Sequence, residues 1–296
     1  TPPCTDALLD AGVRAVHVLL RDPDPAAAGG LARLAAAGLD VLDVGALRPD
    51  LRALAAEDLR GFLTRVRYGR PHLTLKLAQT VDGATVPQPG GYLTGPAARA
   101  HVHRVRADVD AVLVGGCTVR IDDPHLDVRD AAVPEGATGR PRPVLVSATG
   151  DVPVTARAVR DGTLVVVGPD ADPARLAGLE ARGATIVRIP DASDGGLAPD
   201  AVVRSLLDHR ILTVLAEPGP RLAHALLDAD VVDVVEVHVA GGAAVDPGRI
   251  RPASDLLRDV VRAVPEVEVS RTDDGDLLLR RTLHDVAAAA GLQEVA

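Results

Sequence analysis

Four stretches of this chain, "DAVLVG" from Asp110, "RPVLVS" from Arg142, "GTLVVVG" from Gly162 and "VVDVVEVHVA" from Val231, run apolar and β-branched with little polar alternation. A strand with one wet face alternates polar and apolar residues, so a run without that alternation is covered on both faces. "ILTVLAE" (211–217), "ATIVRI" (184–189) and a strand over 72–78 extend the series. Between these runs lie helix-like stretches at 95–107, 198–209 and 219–228. Strands alternating with helices imply a mostly parallel sheet flanked by helices, an α/β fold. Antiparallel-looking strands near 265–281 close a domain spanning 69–285. The tail, 286–296, reads as a short helix or disorder.

Residues 1–68 read differently. "VRAVHVLL" and "DVLDV" look like strands, "AGGLARLAAAGL" is a helix stopped by Gly38, and Leu51 to about Arg67 suggest one long helix. This is the pattern of the end of an α/β unit. The segment opens "TPPCTDALLDAGVRAV", with Cys4 behind two prolines. A cysteine at a helix start often binds metal, but a metal needs three or four ligands.

Composition narrows the partners. Aromatic residues are 1% of a chain whose hydrophobic share is 47%, so the core is built from Ala, Val, Leu and Ile. A net charge of -9 with no offsetting basic run argues against nucleic-acid and membrane-surface binding. A local arginine cluster can still bind a small anion. Two cysteines give no disulfide framework, which fits a reducing, cytoplasmic setting. No apolar run approaches the ~20 residues of a membrane span. Methionine is absent even at position 1, which initiator removal or a truncated start would explain.

Ligands of open α/β sheets bind at the carboxyl ends of strands, and three such ends carry unusual residues. In "LKLAQTVDG", Lys76 and Asp82 flank a strand end, although Asp82-Gly83 reads equally as a turn pair. In "DAVLVGGCTVRIDDPHLDVR", Gly115-Gly116 allow close approach to the backbone ahead of a helix start. Asp122 and Asp123 could there do acid–base work or merely cap a turn. His125, His101 and His103 resemble surface or capping residues. In "LAEPGPRLAHALLDADVVD", Glu217 ends a strand, and Pro218-Gly219-Pro220 lead into a helix whose free N–H groups suit a phosphate. Arg99, Arg106, Arg120 and Arg129 surround these segments.

"RPHLTLKLAQTVDG", "YLTGPAARAHVHRVRADVDAVLVGGCTVRIDDPHLDVR" and "EPGPRLAHALLDADVVDVVEVHV" closely resemble the reductase domain of the bifunctional riboflavin-biosynthesis deaminase/reductase, in that family's order and near its spacing, over about 70–282. The resemblance implies a dihydrofolate-reductase-like sheet and reduction of 5-amino-6-(5-phosphoribosylamino)uracil by NADPH. It assigns cofactor contacts to Ala78, Tyr92, Thr118, Asp122, Ser147 and the turn and helix Gly219, Pro220, Arg221, Leu222, Ala223, His224 and Ala225. It assigns the substrate pocket to Gly90, Arg106, Leu126, Arg129 and Glu217, with Arg106 or Arg129 on the ribose phosphate. Asp122 and Glu217 are the candidate proton donors. Tyr92 stands where the family commonly has Trp, the loop Val86 to Gly91 is about two residues short, and Cys117 is expected to pack rather than react.

The first 68 residues resemble the end of that family's cytidine-deaminase-like zinc domain. Cys4 then matches the last cysteine ligand, but no His has Glu two positions later and the first Pro-Cys is missing. The expectation is an orphan ligand, no stoichiometric zinc and no deamination by this chain as written, zinc being held only if the upstream half is present. The partners implied are a phosphorylated pyrimidine and a second copy of the chain.

Overall fold

Nine strands of a single sheet determine where everything else in the larger unit sits. The computed structural model describes residues 4–24, 29–80, 92–129, 133, 139–190, 196–240 and 267–286. The chain divides into two units, 1–69 with 285–296, and 70–284.

In the larger unit the strands are β3 (His72–Thr80), β4 (Ala111–Gly115), β5 (Arg142–Val146), β6 (Leu164–Val167), β7 (Thr185–Arg188), β8 (Thr213–Ala216), β9 (Val234–Ala240), β10 (Glu268–Arg271) and β11 (Leu277–Thr282). Their spatial order is β10-β11-β9-β3-β8-β4-β5-β6-β7. The pairs from β9 to β7 are parallel, while β11 runs antiparallel to β9 and β10 antiparallel to β11. The fold is the α/β arrangement implied by the uninterrupted apolar runs, with antiparallel strands along one edge.

The helices are α6 (Pro96–Ala107), α7 (Gly116–Asp122), α8 (Pro173–Glu180), α9 (Pro199–Ser205), continued by a 3-10 turn over Leu206–His209, and α10 (Pro220–Asp228). Four of the five begin with proline, whose fixed φ suits the first helical turn and whose missing N–H costs nothing there. Alternate residues of each strand feed two cores. Leu73, Leu75, Leu113, Val144 and Val235 pack with Val202, Ala223 and Leu226 on one face. Val112, Val114, Leu145, Val165 and Leu215 pack with Val102, Val119 and Leu176 on the other. Helices thus cover both faces, as parallel strands require.

Two buried polar devices fix the frame. Asp233 accepts two hydrogen bonds from the Arg70 guanidinium at 2.6 and 2.9 Å and one from the Leu73 N–H at 2.8 Å, with both side chains almost wholly buried. Helix α6 has no acidic residue in its first turn; Asp274 accepts instead from the Ala97 N–H and Asp276 from the Gly95 N–H, each at 2.7 Å. A β-carbon at Gly95 would lie 2.1 Å from the Asp274 carboxylate, so glycine is required at that approach. The turn between β10 and β11 thereby sets the start of α6.

The smaller unit comprises α1 (Cys4–Asp10), β1 (Ala15–Val18), α2 (Gly30–Ala36), β2 (Asp40–Asp43), α3 (Val44–Leu47), α4 (Pro49–Asp58) and α5 (Arg60–Tyr68). The two strands pair in parallel. The expected single helix from Leu51 to Arg67 is instead two helices broken at Leu59, close to the poor helix former Gly61. Its small core joins Ala56, Leu63 and Val286, with Leu20, Phe62 and Tyr68 against them. Among the described residues, no helix is long and apolar enough to cross a membrane.

Candidate active site

The chain runs from β3 through β4 and β5 to the β7 edge, then returns to insert β8 between β3 and β4. That reversal is the switch point at which open parallel sheets bind ligands, beyond their strand carboxyl ends. Ala78 lies near the end of β3, Gly115 ends β4 with Gly116 and Thr118 after it, Ser147 follows β5, and Glu217 with Gly219 follow β8. Four strand ends therefore gather residues that the sequence spreads over 140 positions.

The approach at these ends is close. A β-carbon at Gly116 would meet the Ser147 side chain at 3.1–3.2 Å, one at Gly219 would lie 3.7 Å from Thr118 Oγ1, and one at Gly115 would lie 3.6 Å from Leu222. Helix α10 starts at Pro220 with no side-chain cap and no acidic residue in its first turn. Its leading N–H groups and dipole favour an anion. Within α10, Ala223 is buried, Leu222, His224 and Ala225 are half-buried, and Arg221 is exposed.

Across the sheet face under α6 runs a row of charges. Lys76 on β3 is level with Glu236 on β9, which is level with Arg280 on β11. Leu75 pairs with Ala216, which brings Lys76 alongside Glu217. The row thus reads Glu217, Lys76, Glu236, Arg280. Arg106 of α6 clamps Glu217 through two hydrogen bonds of 2.7 and 3.0 Å and donates a third, 3.1 Å, to the Asp127 carbonyl. Burial pushes the Glu217 carboxyl up, but Arg106, Lys76 and His103 outweigh it and hold it below its ordinary value. Burial lowers the Lys76 ammonium, opposed by the charges of Glu217 and Glu236.

The loop after α7 supplies a third wall. Asp123 and Leu126 adopt left-handed φ of 40° and 51°, costly for residues with side chains and maintained only where neighbours enforce it. They are so enforced. The Arg157 N–H donates to Asp123 at 2.8 Å, and Arg160 donates to the His125 carbonyl at 2.7 Å. Leu126 is buried. Arg129 pairs with Asp127 at 3.0 Å, and its N–H donates to His103 Nδ1 at 3.1 Å. Asp122 is exposed at the end of α7, where partial desolvation raises its carboxyl pKa.

Among the residues singled out from sequence, Arg106 and Glu217 meet each other directly, Thr118 lies close to Gly219, and Ser147 lies close to Gly116. Tyr92 stands apart in solvent, with the Arg99 guanidinium 4.3 Å above its ring. Gly90, Asp82 and Gly83 lie outside the described residues. Cys117 is exposed, and Cys4 opens α1 as an exposed free thiol in the smaller unit. His101, read from sequence as a surface or capping residue, is instead three-quarters buried against Glu236. The polar interior formed by Glu236, His238 and His101 was missed, although two polar residues inside the apolar run "VVEVHVA" were its signal.

Residues 71–243 match the RibD C-terminal domain. The chain belongs to the RibD family. It is 35% identical over 267 residues to the riboflavin biosynthesis protein RibD of Mycobacterium tuberculosis, an alignment covering 87% of this chain and 68% of that protein. The structure of Acinetobacter baumannii RibD superposes with a TM-score of 0.75 at 29% identity, covering 95% of this chain and 76% of that one. The deaminase/5-amino-6-(5-phosphoribosylamino)uracil reductase of Thermotoga maritima gives 0.68 at 25% identity, covering 95% and 75%. The chain spans about two thirds of the length of the RibD relatives it matches. Its larger unit carries the RibD reductase domain, an oxidoreductase of riboflavin biosynthesis that uses a nicotinamide cofactor.

Proposed function

We propose that this RibD chain reduces 5-amino-6-(5-phosphoribosylamino)uracil to its ribitylamino counterpart, using NADPH. The observation that carries the reading is the Arg106–Glu217 clamp standing beside Lys76 at the sheet's switch point. When bound, the nicotinamide supplies the hydride that adds to the carbon of the imine formed as the ribosylamine ring opens, while the imine nitrogen takes one proton.

The protein's part is alignment and charge placement. Thr118, Ser147 and the α10 start bind the dinucleotide, with Ala78 and Asp122 alongside, while Tyr92, exposed to solvent, is left out of the set. Glu217, held ionised by Arg106, is built to accept hydrogen bonds from substrate and to aim the guanidinium. Arg129, half-exposed on its loop, takes the ribose phosphate, with Leu126 shaping the pocket. Asp122, whose carboxyl keeps its proton to higher pH, is the better proton donor of the two acids. Cytoplasmic location and homo-oligomeric assembly accompany this reading.

In the smaller unit, Cys4 matches the last cysteine of the family's deaminase zinc set. The test is to follow NADPH oxidation with the ribosylamino substrate and to record melting with NADPH alone. Oxidation with formation of the ribitylamino product is expected. Failure of both oxidation and thermal stabilisation would overturn the proposal. Tight NADPH binding without turnover would indicate a nucleotide-binding relic instead.

A further inference from the structure

We infer that His101, Glu236 and His238 form a divalent-metal site of the zinc class between α6 and β9. One ligating atom from each lies within 4.8 Å of the other two. Glu236 and His238 are two apart on β9 and so project to the same sheet face, the one covered by α6. From α6, His101 Nε2 lies 3.2 Å from a Glu236 oxygen, and its ring is tilted 50° to that of His238 with centroids 5.5 Å apart. Ala78, level with His238 on β3, leaves room beside it.

The second observation is an orphan. His238 is 1% exposed, and its Nε2 is buried with no hydrogen-bond partner among the described residues. Buried imidazole nitrogens are normally satisfied, and a bound cation with its own water would satisfy this one. Two imidazoles and one carboxylate are the donor set that zinc and its neighbours take with an open fourth position. Ligand atoms around a tetrahedral zinc, at bonds of about 2.0–2.1 Å, stand roughly 3.3 Å apart. The widest pair must therefore close somewhat, which rotation of the partly exposed His101 permits.

Burial pushes the Glu236 carboxyl up, but its hydrogen bond to His101 and the charges of His101, Arg280 and His238 hold it below its ordinary value. Lys76 and Arg280 on the same face oppose a cation. They weaken the site relative to a closed structural zinc centre, so it loads when metal is supplied. A metal here departs from the expectation of no stoichiometric zinc in the chain, which was argued from Cys4 alone.

The test titrates Co²⁺, then competing Zn²⁺, into the full chain carrying Cys4→Ser and Cys117→Ser, which removes both thiols as ligands. The visible bands of protein-bound Co²⁺ should saturate at one equivalent. His101→Asn should weaken binding at least tenfold with unchanged circular dichroism, and Glu236→Gln and His238→Gln should do the same. His238 is fully buried and His101 is partly exposed, so His101→Asn, which disturbs the fold least, is the deciding comparison. No saturable cobalt spectrum in the parent, or equal affinity in His101→Asn, overturns the site and leaves a hydrogen-bonded polar cluster.

Discussion

The two units of this chain invest in their cores very differently. The larger has nine hydrogen-bonded strands with apolar layers on both faces. The smaller has two parallel strands, and only four of its described hydrophobic residues are buried, Leu34, Ala56, Leu63 and Val286. Leu47 and Leu54 stand about two-thirds exposed there. A two-stranded sheet is marginal by itself, whereas a wide sheet closed on both faces pins its strand ends rigidly. Chemistry that depends on sub-ångström alignment belongs on the second kind of frame. Cys4, the one residue that ties the smaller unit to metal chemistry, sits at the start of a seven-residue helix with no buried residue.

The largest expected effect is on the frame of the larger unit. Asp233→Ala removes the buried carboxylate that balances the Arg70 guanidinium and should cost about 3–5 kcal/mol, read from urea unfolding. A loss below about 1 kcal/mol would mean that the pair does not brace β3 and β9.

Paired truncations sharpen the contrast between units. Leu113→Ala should cost about 2–5 kcal/mol, while Leu47→Ala should stay within about 0.5 kcal/mol. Equal costs would erase the difference in core quality.

Ligand linkage separates the units further. NADPH at a hundred times its Kd should stabilise the larger unit by about 2.7 kcal/mol, raising its Tm by roughly 5–10 °C. Calorimetry that moved only the transition of the smaller unit would contradict the site assignment.

The smallest effects concern pH. The Glu217 pKa is lowered in the folded state, so its ion pair stabilises above the ordinary glutamate range and loses that contribution as pH falls through the lowered value. Glu217→Gln should flatten this acid limb of stability. Asp122 moves the opposite way. As the proton donor it is competent at low pH, and turnover should fall as pH rises through its raised pKa. Asp122→Asn should abolish that limb of the rate profile, and an unchanged profile would remove Asp122 from proton delivery.

Much of the larger unit was legible in the sequence because uninterrupted Val, Leu and Ile runs encode buried parallel strands directly. The glycines at 115, 116 and 219 marked the strand ends for the same local reason. The row Glu217, Lys76, Glu236, Arg280 was not legible, because those four residues become neighbours only through the sheet order and register. His101 read as a surface residue because helical spacing alone does not reveal that α6 lies over charged positions. The break at Leu59 escaped notice because the apolar spacing continues across it.

The most direct test of the contrast is nicotinamide absorbance during incubation of the intact chain with NADPH and 5-amino-6-(5-phosphoribosylamino)uracil, in parallel with its Cys4→Ser variant. The account predicts equal rates of NADPH oxidation in both proteins, because the reaction lies wholly in the larger unit. No oxidation by the intact chain, or its loss in Cys4→Ser, would contradict it.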